Sequence, residues 1–212
     1  MATTTVVHLL RHGEVYNPTG VLYGRLPDFH LSALGREMAE RAARALADRD
    51  IAVVTASPLE RAQETALPVA ESHGLSIGVD ADLIEADNVF EGKKMTPQEL
   101  LKHPTYWRHL YNPFTPSWGE PYVELAGRMR SAVARAREEA RGREAVLVSH
   151  QLPIWVARLD WEGRRFAHDP RKRQCSLASL TSLHFADDAL SAVVYTEPSA
   201  DLLPQSSNAT GA

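Results

Sequence analysis

The chain contains a single cysteine, Cys175, among 212 residues. One thiol excludes an intrachain disulfide framework and any metal site built from several thiolates. Long apolar runs are also missing: none approaches the roughly 18 residues of a membrane-spanning helix. Met1 to Thr5 has neither a basic stretch nor an apolar core, so it does not read as a signal peptide. Basic charge is in deficit, with 23 Lys and Arg against 27 Asp and Glu and a net charge of −4. Proteins that grip nucleic acid are normally basic, so no nucleic-acid partner is expected, and no membrane partner either. No internal repeat and no linker-like stretch divides the chain. What is present is 44% hydrophobic and 24% charged residues, the balance of a globular chain that can bury a core. The expectation is a cytoplasmic protein with one domain over residues 1–197 and a mobile polar tail over 198–212.

The apolar pattern predicts the elements. Thr4 to Leu10 reads as a buried parallel strand. Ser32 can cap a helix over residues 33–47, with Leu34, Met38, Ala42, Ala45 and Leu46 on its apolar face. Ile51 to Thr55 is a second strand. Ser57-Pro58-Leu59-Glu60 reads as a capping box opening a helix to about His73, with a kink near Pro68. A short strand follows over residues 76–79. A second capping box at Thr96 starts another helix. A long helix spans about residues 121–141, with Val123, Ala126, Met129, Val133, Ala136 and Ala140 facing inward and Gly142 ending it. Ala145 to Val148 is a fourth strand, Gln151 to Trp161 a helix, and residues 176–185 and 190–196 a closing hairpin. Strands alternating with helices give an α/β layered fold with a mostly parallel sheet. Ligands of such sheets bind at the carboxyl ends of the strands.

Three groups sit at those ends: Arg11-His12-Gly13, Ser57 to Arg61, and Ser149-His150. Arg61 falls in the first turn of its helix, where a cation opposes the dipole and a bound anion would reverse the cost. A surface pair with Glu60 or Glu64 is the competing reading. A neutral His12 beside the Arg11 fork could attack phosphorus and form a phosphohistidine. His150 could hydrogen-bond a phosphate oxygen. Gly13 allows an unusual backbone conformation or a close approach. His8 and His12 lie four apart on a strand-like run with Leu9 between them, which is not a metal motif.

These residues carry a resemblance. LLRHGEVYN at Leu9–Asn17, YGRLPDFHLSALGREMA at Tyr23–Ala39, SPLERAQETA at Ser57–Ala66, LIEADNVFEG at Leu83–Gly92 and VLVSHQ at Val146–Gln151 occur in order. The chain thereby resembles the histidine phosphatase superfamily, branch 1, also called phosphoglycerate-mutase-like. The resemblance covers about residues 4–196. It implies a three-layer sandwich and a phosphatase acting on small organic phosphate monoesters. His12 would be the nucleophile, Arg11, Arg61 and His150 the phosphate pocket, and Glu85 the general acid and later base. It implies no cofactor and no metal, activity in chelator, an acidic optimum and inhibition by vanadate. Homodimers are common among relatives.

The departures matter. Relatives often place a glycine and a tryptophan after the acid, whereas this chain has Asp87-Asn88-Val89-Phe90-Glu91-Gly92. Asp82 and Asp87 therefore compete with Glu85. Gln151 replaces a common glycine and either contacts substrate or caps the next helix. Asn17 either nears the phosphate or shapes the loop before Pro18. The mutase subgroup usually has Asn-Glu-Arg-His-Tyr-Gly at the acid, and this chain does not, so hydrolysis is favoured over mutase action. A non-catalytic phospholigand binder is the third possibility. Tyr106, Trp107, Tyr111, Phe114, Trp118 and Tyr122 either wall the site as a lid or pack an irregular segment. Lys93-Lys94, Arg164-Arg165 and Arg171-Lys172-Arg173 either steer an anion or form solvated surface. Cys175 reads as a small core residue.

Overall fold

The structure, a computed structural model, describes residues 3–94 and 119–206. Its strands are β1 (Thr4–Arg11), β2 (Ile51–Ala56), β3 (Ile77–Val79), β4 (Glu144–Ser149), β5 (Leu180–Ala186) and β6 (Ala189–Thr196). Its α-helices are α1 (Ala33–Leu46), α2 (Glu60–His73), α3 (Tyr122–Glu139) and α4 (Gln151–Trp161). One sheet runs in the order β3-β2-β4-β1-β5-β6. The first four of these strands are mutually parallel, and the closing hairpin β5–β6 adds antiparallel to β1.

Alternation along the buried strands builds two apolar layers. Val7, Leu9, Val53, Ala145 and Leu147 meet Met129, Ala132, Val133 and Ala136 of α3 and Ile154 and Ala157 of α4. Leu10, Val54, Ala56, Val146 and Val148 meet Ala42, Ala43 and Leu46 of α1 and Ala62, Ala66 and Val69 of α2. Helices on both faces of one sheet make the three-layer α/β sandwich. Each buried Leu or Val adds about 1.5–3 kcal/mol.

Several expectations shift in detail. Ser32 caps α1, its Oγ accepting from the Gly35 N–H at 2.9 Å. Ala45 is exposed, and Ala39 and Ala43 take its place on the inner face. Ser57 does not cap α2: the helix starts at Glu60 after Leu59, because the Ser57 hydroxyl is engaged with His150. Pro68 is accommodated inside α2. Val123 points outward while Tyr122 and Leu125 turn in. Helix α3 ends at Glu139, three residues before Gly142. The hairpin begins at Leu180, not Ser176. The segment expected to be a mobile tail lies, as far as Ser206, against α1. Leu202 is buried beside Met38 and Ala178, and Asp201 accepts from Arg41 at 2.6 Å. The second capping box at Thr96, and the aromatic segment apart from Tyr122, fall outside the described residues. Among the described residues no helix is long and apolar enough to cross a membrane.

Candidate active site

The sheet order makes β2, β4 and β1 neighbours, so the three groups at their carboxyl ends meet. Strand pairing runs on into the loops: the His12 N–H donates to the Ser149 carbonyl at 3.1 Å, and the Ser57 N–H to the Val148 carbonyl at 2.9 Å. The His12 and His150 rings lie 5.2 Å apart, both fully buried. Gly13 is needed for close approach. A Cβ there would stand 2.4 Å from the Gly35 carbonyl oxygen, and one on Gly35 would stand 2.0 Å from that of Glu14. The loop after β1 and the start of α1 are thus pressed together, with Ser32 also donating to Glu14 at 2.5 Å.

His12 is held in one tautomer. Its Nδ1–H donates to the Gly13 carbonyl at 2.8 Å, which leaves the Nε2 lone pair free. Nε2 is buried and makes no hydrogen bond. Burial, then the charges of Arg61 and Arg11, hold the imidazole pKa well below its ordinary value. Burial, reinforced by His12 and the same two arginines, does likewise for His150. His150 Nε2 is 2.8 Å from Ser57 Oγ, and its Nδ1 is unpartnered.

Arg61 is fully buried and is not the surface ion pair that its helix position also allowed. Its Nη2 donates to the Gly24 carbonyl, while Nε and Nη1 have no partner. Its guanidinium stacks 4.8 Å over the Tyr23 ring. Glu64 is engaged elsewhere, with His30 and the Leu31 N–H. Arg11 donates through Nη1 to the Cys175 carbonyl at 2.7 Å, leaving Nε unpartnered. Arginine stays protonated at any working pH. Neither guanidinium has a carboxylate partner among the described residues.

Glu85 closes the group. It is buried, its Oε1 accepts from the Ala86 N–H at 2.8 Å, and its Oε2 is unpartnered. Burial raises its pKa, against the lowering pull of that N–H and of Arg61, Arg11 and Arg173. Asp82 turns to Arg135 at 2.5 Å and is half-buried, and Asp87 is exposed. Glu85 is therefore the carboxyl that shares the buried site. Its backbone carbonyl takes Arg25 Nε at 2.7 Å and Arg128 Nη2 at 3.3 Å, and both arginines pair with Glu120.

Not every candidate joins. Asn17 donates to the Val21 carbonyl at 2.8 Å and accepts from Thr19, the pattern of a loop-forming side chain. Gln151 lies beside the site, with Nε2 3.5 Å from the Cys175 carbonyl and Oε1 accepting from Arg173 at 3.1 Å. It does not cap α4, whose start carries no side-chain cap. His8 pairs with Ser182 and Glu144 on the far part of β1. Burial pushes the Cys175 thiol up to about 11, as befits a core residue. Sequence reasoning missed Tyr23 and Thr65; Thr65 Oγ1 accepts from the Gly13 N–H at 3.1 Å and donates to the Arg61 carbonyl at 2.7 Å. For Arg173 it left anion steering and solvated surface open; the side chain is half-buried and turned to His168 and Gln151.

Six buried polar atoms from five side chains thus lack partners: Arg11 Nε, His12 Nε2, Arg61 Nε and Nη1, Glu85 Oε2 and His150 Nδ1. Buried polar groups are normally paired, so such a set asks for a ligand. Its charge, two guanidiniums with neutral imidazoles, asks for an anion. Among the described residues, no group of three His, Cys, Asp or Glu side chains could hold a metal ion.

Comparison with known proteins agrees. Residues 7–198 match the description "Histidine phosphatase superfamily (branch 1)". The chain is 57% identical over 201 residues to the uncharacterized protein Rv0525 of Mycobacterium tuberculosis (strain ATCC 25618 / H37Rv), covering 94% of this chain and 100% of that one. It is 34% identical over 155 residues to the glucosyl-3-phosphoglycerate phosphatase of M. tuberculosis (strain CDC 1551 / Oshkosh), covering 67% and 68%. It superposes on the native structure of mycobacterial glucosyl-3-phosphoglycerate phosphatase Rv2419c with a TM-score of 0.74 and 27% identity, over 92% of this chain and 99% of that one.

Proposed function

The chain belongs to the histidine phosphatase superfamily, branch 1, and from that premise we propose that it is a metal-independent phosphatase hydrolysing small organic phosphate monoesters through a phosphohistidine at His12. The observation that carries this reading is the unpartnered, buried Nε2 of His12, set among unpartnered donors of Arg11 and Arg61. A mycobacterial relative named as a phosphatase supports hydrolysis.

In this mechanism the Nε2 lone pair of His12 attacks phosphorus and the P–O ester bond breaks. The departing alkoxide takes the proton of Glu85. Arg11, Arg61 and His150 bind the equatorial oxygens, where positioning and charge stabilisation supply most of the rate. The Glu85 carboxylate then takes a proton from water. The hydroxide attacks phosphorus, the P–N bond breaks, and phosphate leaves with His12 and Glu85 restored. Burial favours the neutral form of each partner, the form these roles need, by lowering the pKa of His12 and raising that of Glu85.

The test is phosphate release from a panel of monoesters in chelator, with wild type and His12→Ala side by side. Wild-type turnover that falls by at least about a thousandfold in the variant is expected. Turnover surviving in the variant, or needing a divalent cation, would sink the mechanism. Interconversion of 3- and 2-phosphoglycerate without phosphate release would point to a mutase. Binding without either reaction would point to a phospholigand binder.

A further inference from the structure

Arg173 follows a one-turn 3₁₀ helix, Pro170–Lys172, on the connection from α4 to β5. Its neighbours in the basic run behave as surface: Arg171 is exposed and pairs with Asp169 at 2.9 Å, and Lys172 is exposed. Arg173 instead turns inward. Its Nε donates to His168 Nε2 at 2.9 Å and its Nη1 to Gln151 Oε1 at 3.1 Å. Both acceptors are neutral. His168 Nδ1–H donates to the Phe166 carbonyl at 2.5 Å, which fixes the tautomer and presents the Nε2 lone pair to Arg173. The His168 ring is itself packed against Tyr122 and Trp155, at 5.9 and 5.8 Å. The guanidinium is therefore oriented by two hydrogen bonds and packed surroundings, yet none of the described carboxylates neutralises it. Its Nη2 makes no hydrogen bond among the described residues.

This cation sits beside the reaction centre. Gln151 directly follows His150, and its amide approaches the same Cys175 carbonyl that receives Arg11 Nη1 at 2.7 Å. One carbonyl and one amide side chain thus separate the Arg173 and Arg11 guanidiniums. The charge of Arg173 also reaches Glu85. Arg173 is half-buried with only neutral partners, and its Nη2 is not among the buried unpartnered atoms, so it can still meet an anion.

We propose that Arg173, held by Gln151 and His168, is a second anion station that binds a carboxylate on the non-transferred part of the substrate. The preferred substrates are then phosphate monoesters bearing a carboxylate. A single guanidinium matches one carboxylate charge, and the planar fork suits carboxylate geometry. The substrate class rests on the phosphatase reading above, but the station itself can be tested without turnover.

The probes are 3-phosphonopropionate, which carries both anions, and propylphosphonate, which lacks the carboxylate. Their affinities are measured by calorimetry for wild type, Arg173→Gln, Arg173→Lys and Arg171→Gln. Wild type should prefer the carboxylate-bearing probe by about 10- to 100-fold, the range of a charge-assisted hydrogen bond. Arg173→Gln should bring the ratio close to one, and Arg173→Lys should keep part of it. Arg171→Gln removes the same charge from the exposed neighbour and should keep the whole ratio. No preference in wild type, a preference kept in Arg173→Gln, or one lost equally in Arg171→Gln would overturn the proposal. Phosphate release measured in parallel separates the two readings. A protein with the predicted preference but no turnover would keep the station and lose the phosphatase.

Discussion

His12 and Glu85 share one buried site and are displaced in opposite directions, and their pH dependence follows. The competent free enzyme has His12 neutral and Glu85 protonated. Acid removes it by protonating His12, whose pKa burial and two arginines hold well below 6.5. Base removes it by ionising Glu85, whose pKa burial raises above 4.5. The kcat/KM profile should therefore be a bell, its acid limb set by His12 and its alkaline limb by Glu85. In Glu85→Gln the alkaline limb should vanish, at a rate roughly 10²- to 10⁴-fold lower on alkyl esters. An unchanged alkaline limb in that variant would show that another group supplies the proton. At this scale the sequence was informative where a residue ends a strand or directly follows one, as Arg11, His12 and His150 do. It left Arg173 open between steering an anion and solvated surface and was silent on Tyr23, because both stand on loops whose paths no periodicity encodes. For Asn17 the sequence left two readings open, and the structure shows the local one: its side chain donates to the Val21 carbonyl.

Among the elements, α3 does more than cover the sheet. Its Arg128 donates to the Asp82 carbonyl at 2.5 Å, the Glu85 carbonyl at 3.3 Å and both Glu120 oxygens at 2.8 and 2.9 Å. Arg25 joins from the first long loop. Ser149 Oγ fixes the Leu83 carbonyl at 2.6 Å from the other side. The acid thus stands on a segment without regular structure that is tied to β4, α3 and a loop. Arg128 is a positioning residue. Arg128→Ala should cost alkyl phosphates about tenfold more in kcat than p-nitrophenyl phosphate, whose leaving group needs no proton. Equal losses on both substrates would mean that Arg128 is merely structural. Helices and strands were readable because buried faces impose periods of 3.6 and 2. The α2 start was misplaced because a capping box is a local signal, and the Ser57 hydroxyl is claimed by His150, 93 residues away. Val123 was misassigned because Tyr122 and Leu125, on the same turn, bury instead.

For the molecule as a whole, the site lies where two core layers end together, so its precision depends on contacts remote in sequence. Residues 176–179 illustrate this. Ser179 accepts from the Arg11 N–H at 3.1 Å, and the Ala178 N–H donates to the His12 carbonyl at 3.3 Å. Ala178 has a positive φ of 52°, an uncommon conformation for a residue with a Cβ. It is fully buried in a small cluster with Met38 of α1 and Leu202 of the last described segment. The composition of residues 197–206, polar and proline-containing, suggested a mobile tail, because one or two apolar side chains do not register as a pattern. Leu202 is nevertheless the anchor that closes this cluster behind His12. Leu202→Ala should cost about 2 kcal/mol, the low end for a buried leucine because the cluster is small. For a domain of this size that is roughly 4–8 °C in Tm. Because the cluster supports the backbone of Arg11 and His12, kcat/KM should also fall, by less than about tenfold, at temperatures where the variant is fully folded. A Tm equal to that of wild type would show that the segment is not docked in solution. A lowered Tm with unchanged kcat/KM would show that it stabilises the fold without supporting the nucleophile.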